Sequence, residues 1–271
     1  MATAKDILVK PIKSADAIAF VKAHHYSGKV DTRSQLHLGV FLNDRLHGVM
    51  QFGPSMAKHN TINLFSEIGW NEFIELHRLA FDDALPKNSE SRAISIAIKL
   101  LKKHAPHVKV LISYADGAQC GDGTIYRASG FVLTGISKNN SMWKMPDGEV
   151  VCSIVFNPGF QPNSKAGSVK AKYGKTGSEA STSFLKRVGA ERLEGFQLRY
   201  IYFLDPAYKD RLTVPILPFS EIERRGASMY KGQKITRERG ETDNAPQSNA
   251  ETEGASPIRS LLLNEAENGT P

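Results

Sequence analysis

The stretch at residues 108–131 reads VKVLISYADGAQCGDGTIYRASGF, and it decides the fold class. Its first half is an apolar run that ends on Tyr114 and Asp116, a pattern typical of a buried strand. A loop with three glycines follows, and then a short helix that carries Tyr126. An apolar strand, a loop and a helix in that order indicate one arm of a ligand cleft in an α/β domain.

The flanking sequence continues the alternation of strands and helices. Helical spacing predicts a helix at residues 14–25 and another at residues 89–106. Apolar alternation predicts further strands at residues 7–12, 37–42, 48–53, 72–81, 131–137 and 149–156. The order β-α-β-β-β-α-β-α-β-β predicts an α/β (α+β) domain, a mixed sheet with helices on both faces. The same order resembles the Gcn5-related N-acetyltransferase fold, which binds acetyl-CoA between its central strands.

Composition places the chain among soluble globular proteins. No apolar run approaches the roughly 18 residues needed to cross a bilayer, so no membrane association is expected. The first twenty residues lack the layout of a secretory signal. Two cysteines, Cys120 and Cys152, form neither a disulfide framework nor a zinc motif. We therefore expect a cytoplasmic protein with reduced thiols.

Charge is unevenly distributed along the chain. The net charge is +7, but residues 240–271 carry −5, so the preceding residues carry +12. A basic body of this kind suits a polyanion such as nucleic acid.

We expect three parts: an acetyltransferase-like catalytic domain at residues 1–156, as the fold resemblance implies, a basic extension packed on it at residues 157–230, and a disordered tail at residues 231–271. Within the extension, residues 161–192 carry +5 and show no core pattern, while residues 196–205 predict a strong strand. The basic segment would contact DNA phosphates, or else it is a solvated flexible loop. The candidate DNA-binding residues are Lys165, Lys170, Lys172, Lys175, Lys186 and Arg187.

The junction between the strand at residues 72–81 and the following helix is the expected site for a phosphate-bearing cofactor. Acetyltransferases that bind acetyl-CoA usually have a glycine-containing loop here, but this chain reads RLAFDDALPKNSESRAIS, without glycine. A helix start capped by Asn88 or Ser89 still presents free N–H groups to an anion. The candidate cofactor residues are Arg78, Lys87, Asn88, Ser89 and Arg92; the alternative is an ordinary capped helix with solvated cations.

Two clusters carry groups suited to chemistry. His25 and Tyr26 close the first helix, where they are either metal ligands or proton carriers, or simply a cation at a helix C-terminus. Asp116 ends a strand at a glycine loop, so its carboxylate should face the cleft, and Tyr114 shares its strand face. Tyr126 is either a proton donor or a packing residue.

Several motifs together resemble the phage Mom proteins. They are HHYSGK, FIELHRLA, KNSESRAIS, LISYADG, GTIYRASGF, FQLRYIYFLD and PILPFSEI, and they follow one another in the same order over residues 5–232. The resemblance implies a Gcn5-related acetyltransferase-like fold. It also implies a transferase that converts adenine in double-stranded phage DNA to N6-(methylcarbamoyl)adenine and so blocks host restriction enzymes. Such a protein works in the host cell cytoplasm.

The resemblance further implies which residues matter. His25, Tyr26, Arg78, Asp116 and Tyr126 match positions on which the family depends, and they are the expected catalytic residues. Family members are linked to acetyl-CoA and to iron, for which His25, Tyr26 and Asp116 are chemically suitable ligands.

The expected chemistry leaves alternatives open. Asp116 is a base or an iron ligand, and Arg78 orients a phosphate or an oxyanion. The target adenine would flip into the cleft and stack on Trp70 or Tyr114. Two other functions remain open, a conventional acetyl-CoA-dependent N-acetyltransferase and a non-catalytic DNA-binding protein. The sequence leaves the oligomeric state open, a homodimer included.

Overall fold

A seven-stranded mixed sheet forms the centre of the protein. The computed structural model describes residues 2–25, 30–118, 120–156, 170–175, 179–230 and 233–234. The strands of the central sheet are β1 (Leu8–Pro11), β2 (Leu36–Leu42), β3 (Arg45–Gly53), β4 (Phe73–Phe81), β5 (Val110–Asp116), β6 (Val132–Lys138) and β10 (Phe196–Phe203). The helices are α1 (Ser14–His24), α2 (Lys58–Ile62), α3 (Ser89–His104), α4 (Thr124–Ala128), α5 (Ser181–Arg187) and α6 (Ser220–Arg224).

The strand order in the sheet is β1-β2-β3-β4-β5-β10-β6. Only β4 and β5 run parallel, and all the other neighbours are antiparallel. The predicted mixed α/β sheet is therefore confirmed. Its one unexpected member is β10, which comes from the predicted extension and lies between β5 and β6.

Helices cover both faces of this sheet, as the pattern predicts. On one face, Leu111 of β5 packs in the same core cluster as Ile98 of α3. The next residue of β5, Ile112, points to the opposite face and belongs to a different cluster. On that opposite face, Val21 of α1 packs against Val49 of β3. Successive strand residues therefore serve two separate cores, because side chains alternate across a sheet.

The hairpin between β2 and β3 follows directly from its turn residues. Asn43 and Asp44 have φ values of 50° and 60°, the left-handed region that a two-residue hairpin turn requires. Asparagine and aspartate tolerate this region better than other residues with a Cβ atom. An Asn-Asp pair between two apolar runs predicts a hairpin turn from the sequence, and the structure has one at this place.

A second, smaller sheet corrects two sequence predictions. It contains β8 (Val150–Cys152), β7 (Met142–Lys144) and β9 (Glu191–Arg192), in that order. Together with α5 it forms the small lobe, in which the rings of Phe156 and Phe184 lie 5.3 Å apart. The predicted strand at residues 149–156 is thus not in the central sheet. Residues 161–192, for which the polar composition predicted no core, contribute the buried side chain of Phe184 to the core of the small lobe.

Residues Met1–Arg237 form one compact unit, and the second unit, Glu238–Pro271, lies outside the described residues. The boundary at residue 156 stays a prediction, although β10 lies within the central sheet. Most of the expected tail at 231–271 is likewise outside the described residues. Residues 233–234, which belong to this expected tail, nevertheless form strand β12 (Gln233–Lys234). This strand pairs with β11 (Met229–Tyr230). No helix in the described part of the chain is long and apolar enough to cross a membrane.

Candidate active site

The sheet opens between its two central parallel strands. Strand β4 pairs with β5 only from Phe73 to Glu75. Beyond this point β4 continues to pair with β3, and β5 continues to pair with β10. At the start of the gap, Ser113 Oγ donates to the carbonyl oxygen of Leu76 at 3.5 Å. The two strands therefore diverge, and a cleft forms where no ladder hydrogen bonds are needed.

A β-bulge in β4 sits at this divergence. Phe52 and Gln51 of β3 pair with Leu76 and Arg78, which leaves His77 as the extra residue. The His77 ring is buried, with Nε2 3.0 Å from the carbonyl oxygen of Pro54 and Nδ1 2.9 Å from Ser34 Oγ. Because a carbonyl can only accept, Nε2 donates to Pro54, while Nδ1 pairs with the Ser34 hydroxyl. His77 thus anchors the bulge and has no nitrogen left for chemistry.

Two cavities meet at the cleft, one on each face of the sheet. The α4 cavity has a volume of about 420 Å³ and is lined by Tyr126 and His25, among others. The β10 cavity has a volume of about 620 Å³ and is lined by Asp116 and Arg78, among others. Leu76, His77 and Tyr114 line both. The strand gap is therefore the wall that the two cavities share.

Tyr126 contributes a protonated phenol to the α4 cavity. It lies on α4, where its ring is 5.5 Å from that of Phe131 and 5.3 Å from that of Tyr200. Burial raises the pKa of Tyr126 to about 12, opposed by a hydrogen bond with Ser113. A phenol with this pKa keeps its proton at neutral pH, so it can donate a proton but cannot act as a base.

His25 also lines the α4 cavity, and it is neutral. Burial, and then the nearby charge of Arg78, lower the pKa of His25 to about 4. Arg78 itself lines the β10 cavity, and its Nη1 donates to the carbonyl oxygen of His77 at 2.6 Å. Tyr26, the neighbour that the sequence paired with His25, lies outside the described residues.

Asp116 presents a carboxylate to the β10 cavity. Its Oδ1 accepts from the backbone N–H of Ala118 and its Oδ2 from Asn139 Nδ2, each at 3.0 Å. Burial raises the pKa of Asp116, and these two hydrogen bonds oppose the rise. Each oxygen keeps a further lone pair, so the carboxylate can still accept a proton from a ligand.

Asn139 is a site residue that the sequence did not reveal. Its Oδ1 accepts from the backbone N–H of Ser141 at 3.0 Å, which turns Nδ2 toward Asp116. Asn139 follows β6, and a polar residue in a loop far from Asp116 along the chain gives no sequence signal of such a contact.

Other charged groups surround Asp116 in the β10 cavity. Arg199 is held by Thr134, whose Oγ1 lies 3.0 Å from Nε and whose carbonyl oxygen lies 2.8 Å from Nη2. Burial lowers the pKa of Arg199. Burial, and then the charge of Glu75, raise the pKa of Tyr114, while Arg199 opposes the rise. The cavity therefore holds two cations (Arg78 and Arg199), two carboxylates (Glu75 and Asp116) and one neutral phenol (Tyr114). These hydrogen-bond donors and acceptors suit a ligand ring with polar edges. Trp70, the other predicted stacking residue, lines neither cavity.

The floor of the α4 cavity depends on one glycine. Gly123 has φ +83°, and a Cβ there would lie 2.3 Å from the ring of Tyr200. The absence of that atom lets the Tyr200 hydroxyl donate to the carbonyl oxygen of Asp122. The Asp122 carboxylate in turn accepts from Arg127 Nη2 at 3.1 Å and from Thr124 Oγ1 at 3.0 Å. The sequence gives no signal of the contact between Tyr200 and Asp122, because the two residues lie 78 positions apart along the chain.

The start of α3 fits an anionic group. Asn88 is the N-cap residue in a left-handed conformation, but its side chain makes no capping bond, contrary to the usual role of this residue. Ser89 Oγ is buried without a hydrogen-bond partner. Lys87 and Arg92 are exposed beside it, and Glu90 of the first turn lines the α4 cavity. Free N–H groups, an orphaned hydroxyl and two cations suit phosphates of the kind that coenzyme A carries.

The described residues do not fit an iron site. They contain no group of three or more histidines, cysteines, aspartates or glutamates placed to hold a metal ion. Of the predicted ligands, His25 lines the α4 cavity while Asp116 lines the β10 cavity, and Tyr26 is outside the described residues. No step of the chemistry below passes through iron.

Part of the predicted DNA-binding set is engaged within the protein. Lys172 Nζ lies 2.5 Å from Asp147 Oδ2, and Arg187 Nε and Nη2 donate to the Glu179 carboxylate at 2.8 and 2.9 Å. Lys175 Nζ donates to the carbonyl oxygen of Glu179 at 2.5 Å. Lys170 and Lys186 are described without such a contact, and Lys165 lies outside the described residues. DNA binding by this set stays a prediction.

Solved structures with a similar arrangement include acetyltransferases. One from Bacillus subtilis, in complex with CoA, has a TM-score of 0.38 and 11% identity, and the match covers 73% of this chain and 97% of that one. An N-acetyltransferase from Staphylococcus aureus Mu50 has a TM-score of 0.39 and 12% identity, with 73% and 99% covered.

Sequence comparison is more specific. The methylcarbamoylase mom of Escherichia phage Mu is 32% identical over 213 residues, which is 78% of this chain and 81% of that protein. The model of the Mom protein family matches residues 6–221. The match covers most of the chain, including both strands that line the cleft and β10 between β5 and β6. The chain therefore belongs to the Mom protein family.

Proposed function

We propose that this protein is a transferase that modifies the N6 amine of adenine in double-stranded phage DNA, giving N6-(methylcarbamoyl)adenine. The observation that carries the proposal is the meeting of two cavities at the strand gap, with a proton donor on one side and a carboxylate on the other. Membership of the Mom family and the name of the phage Mu relative support the reaction type. Such a modification would protect phage DNA from host restriction enzymes.

The β10 cavity would take the adenine. The N6 lone pair is delocalised into the ring, so attack on a carbonyl requires removal of an N6 proton. Asp116 would accept that proton, since burial raises the pKa of its carboxyl and so makes the carboxylate a stronger base. Gln197 and Asn60 also line the cavity, and amide side chains suit the donor and acceptor edge of adenine. The ring of Tyr114 offers a face for stacking.

The α4 cavity would take the activated donor. Acetyl-CoA, when bound, supplies a thioester carbonyl, and Lys87, Ser89 and Arg92 would hold its phosphates. Tyr126 keeps its proton at Oη near neutral pH and so can donate it to a leaving group. A methylcarbamoyl group contains one NH more than an acetyl group. The complete reaction therefore needs a nitrogen that plain acetyl transfer does not supply.

Nucleoside analysis tests the proposal. The chain is expressed in bacteria that carry a plasmid, and the digested plasmid DNA is analysed by mass spectrometry. N6-(methylcarbamoyl)deoxyadenosine is the expected product, and the DNA should resist restriction enzymes whose sites contain adenine. N6-acetyldeoxyadenosine instead would favour a conventional N-acetyltransferase. Unmodified DNA from cells with folded protein that still binds DNA would favour a non-catalytic DNA-binding protein.

Asn139→Ala is expected to shift the pH dependence of this reaction. The Asn139 amide holds the pKa of Asp116 down, so its loss raises that pKa further. The reaction needs the ionised carboxylate, and the acidic limb of the rate profile should therefore move to higher pH. At a pH above the Asp116 pKa of both proteins, the rates of Asn139→Ala and of the wild type should converge. The measurement is the rate of nucleoside formation on duplex DNA across pH.

Asn140→Ala is the matched control, since Asn140 is the exposed neighbour whose Oδ1 pairs with Arg192 rather than with Asp116. Its profile should keep the wild-type acidic limb. A loss of rate by the same factor at every pH in Asn139→Ala would mean that Asn139 supports the fold rather than the charge of Asp116.

A further inference from the structure

The rim of the β10 cavity is a short segment held firmly in place. This rim segment, residues 54–62, joins β3 to the end of α2. Its first carbonyl, that of Pro54, accepts from the buried His77 ring at 3.0 Å. Ser55 and Thr61 are buried and hydrogen-bond each other, with 3.1 Å between their hydroxyl oxygens. The segment is therefore fixed to β4 at its first residue, and the Ser55–Thr61 hydrogen bond closes it on itself.

Met56 projects from this rim into solvent. Its backbone N–H lies 3.3 Å from Glu75 Oε2, so its main chain is tied to the cavity wall. Its side chain is 72% exposed, the highest value among the large apolar side chains that the structure describes. Met56 also lines the β10 cavity. An anchored backbone that presents a bare apolar side chain at a cavity mouth suggests a partner that supplies an apolar space.

The surroundings of Met56 favour nucleic acid as that partner. Lys58, two residues along the rim segment, is exposed, and its Nζ lies 5.1 Å from the centre of the Trp70 ring. Trp70 is itself 67% exposed. Inside the cavity, Arg78 and Arg199 add two more cations. An apolar tip beside cations matches a duplex, which offers phosphates outside and an apolar base stack within.

We propose that Met56 enters the duplex and fills the space that the target adenine leaves when it flips into the β10 cavity. Extrusion of a base costs free energy because its neighbours lose a stacking partner. An apolar side chain between those neighbours restores part of that contact, as inserted wedge residues do in other complexes. The flexible thioether chain of methionine adapts to either neighbour, so the wedge imposes little base preference of its own. This inference rests on the proposed function.

Met56→Ala tests the wedge by comparing two DNA substrates. On duplex DNA its modification rate should fall by about tenfold or more, because the flipped state loses its support. On the same strand without its complement, which has no stack to open, the rate should stay within about twofold of wild type. Duplexes with 2-aminopurine at the target position should give a smaller rise in fluorescence with Met56→Ala. Met56→Phe, which keeps an apolar wedge, should recover most of the duplex rate.

Ile216→Ala is the matched control, since Ile216 is exposed, apolar and outside both cavities. It should match wild type on both substrates. Duplex activity of Met56→Ala equal to wild type, or an equal loss on both substrates, would overturn the wedge while leaving the proposed function intact. Wild-type protein that modifies neither substrate would instead contradict the proposed function, and the wedge with it. Met56→Ala should unfold at the wild-type temperature, because an exposed side chain contributes little to stability.

Discussion

Asp116→Asn is expected to reduce the rate of adenine modification by about 10²–10⁴-fold, the range for loss of a general base. The substitution keeps the size of the side chain but removes the negative charge that accepts the N6 proton. Binding of duplex DNA should persist, because the cations around the cavity are unchanged. Single-turnover rates on duplex DNA, followed by nucleoside mass spectrometry, separate the two effects.

Two further variants show whether the loss of activity in Asp116→Asn comes from the lost negative charge or from altered side-chain geometry. Asp83→Asn alters an exposed carboxylate outside both cavities, and it should keep wild-type activity. The double variant Asp116→Asn/Asn139→Asp preserves a hydrogen bond between positions 116 and 139 but moves the carboxylate away from its place. It should fold normally and stay inactive. Recovery of activity in this double variant would show that position 116 serves the structure and not the proton transfer.

Tyr126→Phe is the second large effect, a fall of about 10²-fold or more in the rate of group transfer. The ring contacts with Phe131 and Tyr200 stay in place, so the change removes only the proton donor in the α4 cavity. Loss of the hydrogen bond with Ser113 should cost about 1 kcal/mol of folding stability. Rates at saturating donor and DNA, with melting curves of both proteins, measure these separately.

Tyr202→Phe is the matched control for that experiment. Tyr202 is a half-buried tyrosine that packs against Phe131 and lines neither cavity. It should lose no more than about twofold in rate, as expected for a change away from the reacting groups. A Tyr126→Phe rate equal to that of Tyr202→Phe would identify Tyr126 as a packing residue. The pKa of about 12 also predicts that Tyr126 contributes no pH limb near neutrality.

Local patterns predicted the elements well and their partners less well. The hairpin at Asn43 and Asp44, the apolar stripe of α3 and the buried run of β5 are each set by neighbouring residues, so periodicity reveals them. The apolar pattern of β10 predicted a strand in the same way. Its place between β5 and β6 depends on pairing with residues about 60 to 90 positions earlier, and no local period records such a choice.

In the candidate site, too, local spacing was predictable from the sequence and long-range contacts were not. Spacing by two along β5 predicted that Tyr114 and Asp116 share a face, and both line the β10 cavity. The sequence grouped His25 with Asp116 in one cleft, whereas the gap between β4 and β5 puts them in different cavities. The contacts of Asn139 and Tyr200 join distant parts of the chain through single hydrogen bonds. Nothing in their residue types distinguishes them from other polar or aromatic residues nearby.

The position of β10 has a consequence for synthesis of the protein on the ribosome. Until residue 203 has left the exit tunnel, β5 lacks its antiparallel neighbour and β6 has no place in the sheet. The nascent chain thus carries an unpaired edge of apolar strand for the time needed to make residues 117–203, which invites pairing with other chains. A chain that stops before β10 would leave that edge permanently open. Such truncated products should aggregate rather than retain partial activity, and active protein should emerge only after β10 has left the exit tunnel.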